Sequence, residues 1–205
     1  MFQRAVTVLL SLALFLTIAT SATAQDPAPN PRVLVQTSEG DFEIELFRDE
    51  PSVIATVVNF LGYVRDGYYD KTVFHRVIRD VIIQGGGFTV DADSMLTPKA
   101  EGLRGQIVHQ GSVALKNTRG TVAMARGAEP NSARQQFFVN LEDNRNFDFQ
   151  NPTAAGVGYA VFGRVTQGMD VVNSIGRTRT GSQGPLQDVP REPIIITSIT
   201  RVEGN

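Results

Sequence analysis

Neither cysteine nor tryptophan occurs anywhere in the 205 residues, and histidine occurs only at His75 and His109. Without thiols the chain can form no disulfide and can present no thiolate nucleophile. Two histidines and no cysteine fall short of the ligand sets that hold zinc, and no metal or cofactor is expected. A cationic excess is also missing, with 19 Lys and Arg against 21 Asp and Glu. A protein that grips a phosphate backbone needs a basic face, so nucleic acid is not an expected partner. Asp91 and Asp93 begin like a calcium loop, but Met95 stands at the next ligand position and no glycine follows. Gly85-Gly86-Gly87 lacks the Lys-Ser/Thr of a phosphate loop, and the G-x-S-x-G turn of a serine hydrolase does not occur.

Long apolar runs are absent except at the start. Residues 1–4 are short and basic, residues 5–19 (AVTVLLSLALFLTIA) are apolar, and Ala22-Thr23-Ala24 has the small-x-small form that signal peptidase cuts. The pattern predicts a secretory signal peptide over 1–24, its apolar stretch being short for a membrane span. Cleavage removes Arg4 and leaves 18 basic against 21 acidic residues, a net charge of −3. The product is expected to be exported, to a periplasm or fully secreted, with no membrane attachment after cleavage. Residues 25–31 (QDPAPNP) read as a flexible lead-in, and 32–205 as one domain with a sizeable core.

That domain reads as mostly β. In 42–47, Phe42, Ile44 and Leu46 alternate with Glu43 and Glu45, and with 33–37 this segment forms a hairpin around Ser38-Glu39-Gly40-Asp41. Further strands are expected at 73–78, 81–84, 121–125, 136–141, 159–165 and 194–202. Pro51 opens a helix on which Val53, Val57, Phe60, Leu61 and Val64 recur, and Gly67 stops it. A second helix fits 168–176, with Met169, Val172 and Ile175 on one face, while 89–120 is expected to be irregular. Many strands with two helices suggest a closed antiparallel β-barrel capped by two α-helices.

One stretch breaks the pattern of a buried strand. FHRVIRDVIIQGGGF, residues 74–88, sets Arg76 among Phe, Val and Ile, and runs from Gln84 straight into three glycines. Strict alternation places Phe74, Arg76 and Ile78 on one side. With GTVAMAR (120–126), QFFVN (136–140) and YAVFGRV (159–165), this stretch closely resembles the cyclophilin family of peptidyl-prolyl cis–trans isomerases, most of all its periplasmic bacterial branch. The similarity runs from about residue 32 to 202.

The resemblance implies an eight-stranded barrel, a monomer acting on proline-containing polypeptides, and a role in folding exported proteins. It makes Arg76 the catalytic residue, and the chemistry agrees. An X–Pro bond rotates against a barrier of ~18–20 kcal/mol, and a donor aimed at the prolyl nitrogen stabilises the twisted amide without nucleophile or cofactor. Gln84 is expected to hold Arg76 or a substrate carbonyl, and Gln136 to share the groove. The backbone at Arg126 is expected to bind substrate beside the proline. Val81, Ile82, Phe138 and Phe147 are expected to form the proline pocket, Ala125 and Gly127 to line the adjoining groove, and Tyr159 to stand where the family often has histidine. Phe137 and Phe138 adjoin, so one must face the core and the other the groove; His75 is expected to be structural.

The chain departs from the family at three points. Arg79-Asp80-Val81 replaces Pro-Gly-Phe, Asn146 falls at the position of an aromatic unless Phe147 takes it, and Tyr159 replaces the histidine. Intact Arg76 favours an active isomerase. Val81 and Asn146 favour the alternative, a peptide-binding module or chaperone with weak turnover.

Overall fold

Period-two burial and hydrogen-bonded register build most of this protein. The computed structural model describes residues 29–202; the expected leader and most of the lead-in lie outside them. Along the chain come β1 (Arg32–Thr37), β2 (Gly40–Leu46), α1 (Ile54–Arg65), β3 (Thr72–Ile78), β4 (Ile82–Val90) and β5 (Leu96–Pro98). There follow β6 (Thr121–Met124), β7 (Phe137–Asn140), β8 (Val161–Gln167), α2 (Met169–Gly176), β9 (Thr180–Gln183), β10 (Leu186–Pro190) and β11 (Ile195–Val202). The main sheet runs β3-β11-β1-β2-β8-β6-β7-β4, and β4 pairs back onto β3, so eight antiparallel strands close into a barrel. The short β5 hangs on β4 outside the ring.

All eight barrel strands overlap an expected one, although β4 runs on to Val90 instead of stopping at Gln84, and β8 lies two residues later than expected. Three further strands do not. β5 lies inside the stretch expected to be irregular, and the β9–β10 hairpin has no counterpart in the sequence reading. Its segments TGSQ and LQDVP carry almost no apolar alternation, and what holds them is pairing and hydrogen bonding rather than a buried stripe.

The interior is filled from both helices as well as the strands. Val57, Phe60, Tyr63 and Val64 of α1 and Val172 and Ile175 of α2 join one apolar cluster with Val33, Phe42, Ile44, Phe74 and Phe162. Phe60 is central, with ring centroids 5.2 Å from Tyr69, 5.5 Å from Phe137 and 5.1 Å from Phe162. Tyr63, Tyr68 and Tyr69 pack on one another beside it, at 4.7–6.0 Å. Fully burying an aromatic or large aliphatic side chain stabilises by about 1.5–3 kcal/mol, so this cluster dominates the fold.

Helix α1 begins after a single helical turn at Pro51–Val53 and ends at Arg65, just before Gly67, whose φ of 63° suits a residue without Cβ. Its first turn has no side-chain cap of its own. Gln110, from the long loop before β6, supplies one: its Oε1 accepts from the Thr56 backbone N–H at 2.7 Å and the Thr56 hydroxyl at 2.9 Å. Thr56 is fully buried, so both donors depend on that contact. Gln110→Ala should therefore lower unfolding free energy by about 1–2 kcal/mol in a denaturant titration. A loss below ~0.3 kcal/mol would mean that the loop and the helix are not coupled.

Candidate functional site

The strip of β3 and β4 quoted above owes its behaviour to irregular pairing. Phe74 lies opposite Gly85, yet Arg76 lies opposite Gln84, so two steps on β3 match one on β4. This bulge breaks the alternation expected for Phe74, Arg76 and Ile78. Phe74 turns inward to the main core, whereas Arg76 is exposed and Ile78 joins a second apolar cluster outside it. The expectation that Phe74 and Arg76 share a side is thus corrected. His75, within the bulge, is 5% exposed and packs on Phe88 with ring centroids 4.6 Å apart and tilted by 45°, and its Nδ1 has no hydrogen-bond partner among the described residues.

Beyond the bulge the register is regular and sets up a row. Arg76 is opposite Gln84, Gln84 is opposite Phe138 on β7, and Phe138 is opposite Ala123 on β6. Directly opposed residues share a face, so all four lie on the barrel's outer wall, strands about 4.8 Å apart. In the next row Val77, Ile83, Val139 and Val122 face the core. Phe137 and Phe138 divide as expected, one to each side.

Gln84 Nε2 donates to Gln136 Oε1 at 2.9 Å, which ties an amide of β4 to the residue just before β7. The three glycines make room for this arrangement. A Cβ on Gly85 would come within 2.9 Å of the Phe74 ring, and one on Gly87 within 2.4 Å of the Gln136 amide. Gly86 adopts a φ of 83° and lies against Tyr69.

Next to this row lies an apolar patch. Ile82, Ala123, Phe138 and Val161 are its buried floor, and Val81, Ala125, Phe147 and Tyr159 are packed against it. The Phe138, Phe147 and Tyr159 rings form an edge-to-face trio, with centroids 5.9, 5.4 and 5.2 Å apart. Phe147, not Asn146, enters the patch; Asn146 is exposed. Behind it sits a network that sequence reasoning missed. Asn144 Nδ2 donates to the Val81 carbonyl at 3.0 Å and to Asn140 Oδ1 at 2.8 Å, and Asn117 Nδ2 donates to the Phe147 carbonyl at 3.0 Å. All three asparagines are buried, so these bonds fix both loops that carry the patch's walls. In the sequence Asn117 and Asn144 look like turn residues, and Asn140 like the end of a strand.

On the other flank the Arg126 side chain folds back. Its Nε donates to the Gly158 carbonyl at 2.9 Å and its guanidinium lies 5.1 Å from the centre of the Tyr159 ring. Among the described residues the Arg126 backbone N–H and C=O carry no hydrogen bond, leaving an open edge for an extended chain. Gly127 N–H donates to Ser132 Oγ at 2.8 Å. Ala125, Arg126 and Gly127 line a cleft of about 350 Å³ together with Gln84 and Gln136. The same two glutamines reach a second cleft of about 380 Å³ that contains His75, Arg76, Phe88, and Leu186 and Gln187 of the unforeseen hairpin. A larger hollow of about 540 Å³ between α1 and β11 shares no residue with either. All the expected site residues thus meet on one outer face.

That face offers a fixed cation, two amides, an open backbone edge and an apolar recess. It suits a peptide that carries a compact apolar ring. A family described as "Cyclophilin type peptidyl-prolyl cis-trans isomerase/CLD" matches residues 32–201. The chain is 47% identical over 168 residues to peptidyl-prolyl cis-trans isomerase cyp18 of Streptomyces antibioticus, covering 81% of this chain and 95% of that protein. It is 45% identical to peptidyl-prolyl cis-trans isomerase B of Escherichia coli (strain K12), covering 82% and 98%. Among solved structures, a cyclophilin-type peptidyl-prolyl cis-trans isomerase of Cryptosporidium parvum, crystallised in the presence of the dipeptide Ala-Pro, superposes with a TM-score of 0.67 at 26% identity. It covers 84% of this chain and 99% of that one.

His75 gives the site a pH signature. Burial is the main reason that its imidazole is pushed down to about 4, and the neighbouring Arg76 charge works in the same direction. The unfolded chain therefore takes up this proton near pH 6.5, before the folded one does, and stability is lost as pH falls from about 6.5 towards 4. Between pH 7 and 4.5 the wild type should lose about 2–3 kcal/mol more than His75→Gln in urea unfolding. Equal losses in both proteins would show that His75 does not report the burial described.

Proposed function

The chain belongs to the cyclophilin-type peptidyl-prolyl cis-trans isomerases, and from that premise we propose that Arg76 is its catalytic donor and exported, folding polypeptides its substrates. The cross-strand row Arg76–Gln84–Phe138 carries the reading, because it sets a cation beside the apolar patch on one wall. A proline ring seated against Phe138, Phe147 and Tyr159 brings the prolyl nitrogen towards the guanidinium. As the X–Pro bond twists, resonance is lost and the nitrogen lone pair localises. A guanidinium, charged at any physiological pH, stabilises that lone pair without transferring a proton.

Gln84, held by Gln136, is placed to receive a substrate carbonyl or steady Arg76, and the unpaired backbone at Arg126 to pair with the residues beside the proline. Val81 presents less surface than a phenylalanine, but the edge-to-face trio supplies aromatic walls. A proline-containing peptide as ligand is supported by the Cryptosporidium relative crystallised with Ala-Pro. The wider role is supported by the leader pattern over 1–24. Uncatalysed X–Pro isomerisation takes roughly tens to hundreds of seconds, slow enough to limit the folding of exported chains.

Two measurements test this. Arg76→Ala should lower kcat/KM on a proline peptide by ~10²–10³ with little change in melting temperature, since the side chain is exposed. A folded variant with near-wild-type turnover would refute the assignment. The mass of natively exported protein should begin at Gln25, and a mass that includes residues 1–24 would mean the leader is retained.

A further inference from the structure

Arg76 has an acidic neighbour from an unexpected direction. Asp188 of β10 places Oδ2 3.6 Å from Arg76 Nε. On its own, a contact between two half-exposed side chains carries little weight. The backbone around Asp188 makes it more than that. Leu186 pairs with Gln183 and Val189 with Gly181, so Gln187 and Asp188 together oppose the single residue Ser182. Such a bulge re-aims a side chain. Asp188 also has a φ of 59°, one of four non-glycine residues with positive φ among the described residues. Aspartate tolerates this conformation better than most side chains, but it is still uphill.

The hairpin that presents it is pinned. Gln183 Oε1 accepts from the Leu96 N–H at 2.7 Å and its Nε2 donates to the Ser94 carbonyl at 3.1 Å, which ties β9 to the β4–β5 extension. Arg191 N–H donates to the Arg179 carbonyl at 2.9 Å, and Val189 and Pro190 are buried. The carboxylate thus sits on a braced support. It approaches Arg76 at Nε, on the stem side of the guanidinium.

We propose that Asp188 is a positioning residue for the isomerase: it holds the Nε side of Arg76 so that the terminal nitrogens face the prolyl amide. A free arginine side chain spreads over many rotamers, and fixing one beforehand removes that cost from the rotation step. The proposal rests on the reading of Arg76 as the donor.

The experiment compares Asp188→Asn, Asp188→Gly, Arg76→Ala and the Arg76→Ala/Asp188→Asn double variant on a proline peptide, with melting temperatures. Asparagine keeps the shape and tolerates the backbone; glycine relieves the positive φ while removing the carboxylate. Both single Asp188 variants should lose about 5- to 20-fold in kcat/KM, almost all in kcat, with KM within twofold and melting unchanged or raised. In the Arg76→Ala background Asp188→Asn should change nothing further, because there is no guanidinium left to hold. Wild-type turnover in Asp188→Asn or Asp188→Gly would overturn the proposal. So would an increase, since the carboxylate would then be competing with substrate for Arg76. An equal loss with and without Arg76 would overturn it as well. If Arg76→Ala itself stays active, it is the donor assignment that fails, a result distinct from an inert Asp188 beside an essential Arg76.

Discussion

Closure of the barrel by β3 against β4 is the constraint on which both core and groove depend. This contact joins a strand carrying Arg76 and His75 to a strand with three glycines in succession. It is paired irregularly, with register shifts on both sides of Phe74. Those shifts let one short segment drive an aromatic ring into the core and, two residues later, turn a guanidinium outward. A regular ladder would put both on the same side, burying the charge or exposing the ring. The glycines are the complement of that irregularity, because Phe74, Tyr69 and Gln136 occupy the space their Cβ atoms would take.

Much of this was legible in the sequence, for identifiable reasons. Alternation in residues such as Phe42, Ile44 and Leu46 gives the barrel strands directly, and the adjacent pair Phe137 and Phe138 divides between inside and outside as period two requires. The grouping of the groove residues followed from the family resemblance rather than from periodicity. What escaped was structure held by polar pairing. The β9–β10 hairpin, with Asp188 in its bulge, has no apolar stripe to announce it. Asn117 and Asn144 look like turn residues and Asn140 like a strand end, and only the fold shows them buried together behind the patch. The β3 bulge escaped for a related reason: nothing in Phe74, His75 and Arg76 themselves signals an extra residue, since the irregularity is a property of the pair of strands.

The loop between β5 and β6, for all its irregular backbone, is not idle. Gln110 reaches α1 and Asn117 supports the wall at Phe147, so one stretch braces the helix that fills the barrel and the patch on its outside. A disturbance in that loop would be transmitted to core and groove together, through hydrogen bonds whose partners are buried on both sides.

The lack of tryptophan has an optical consequence. The protein's near-ultraviolet emission must come from four tyrosines, and three of these, Tyr63, Tyr68 and Tyr69, are locked together inside the barrel. The fourth, Tyr159, lies in the groove beneath the Arg126 guanidinium and against Phe138 and Phe147. The molecule therefore carries its own pair of reporters, a core triplet that brightens or dims with folding and a lone phenol on the outer wall that responds to its own surroundings, with no indole to outshine either.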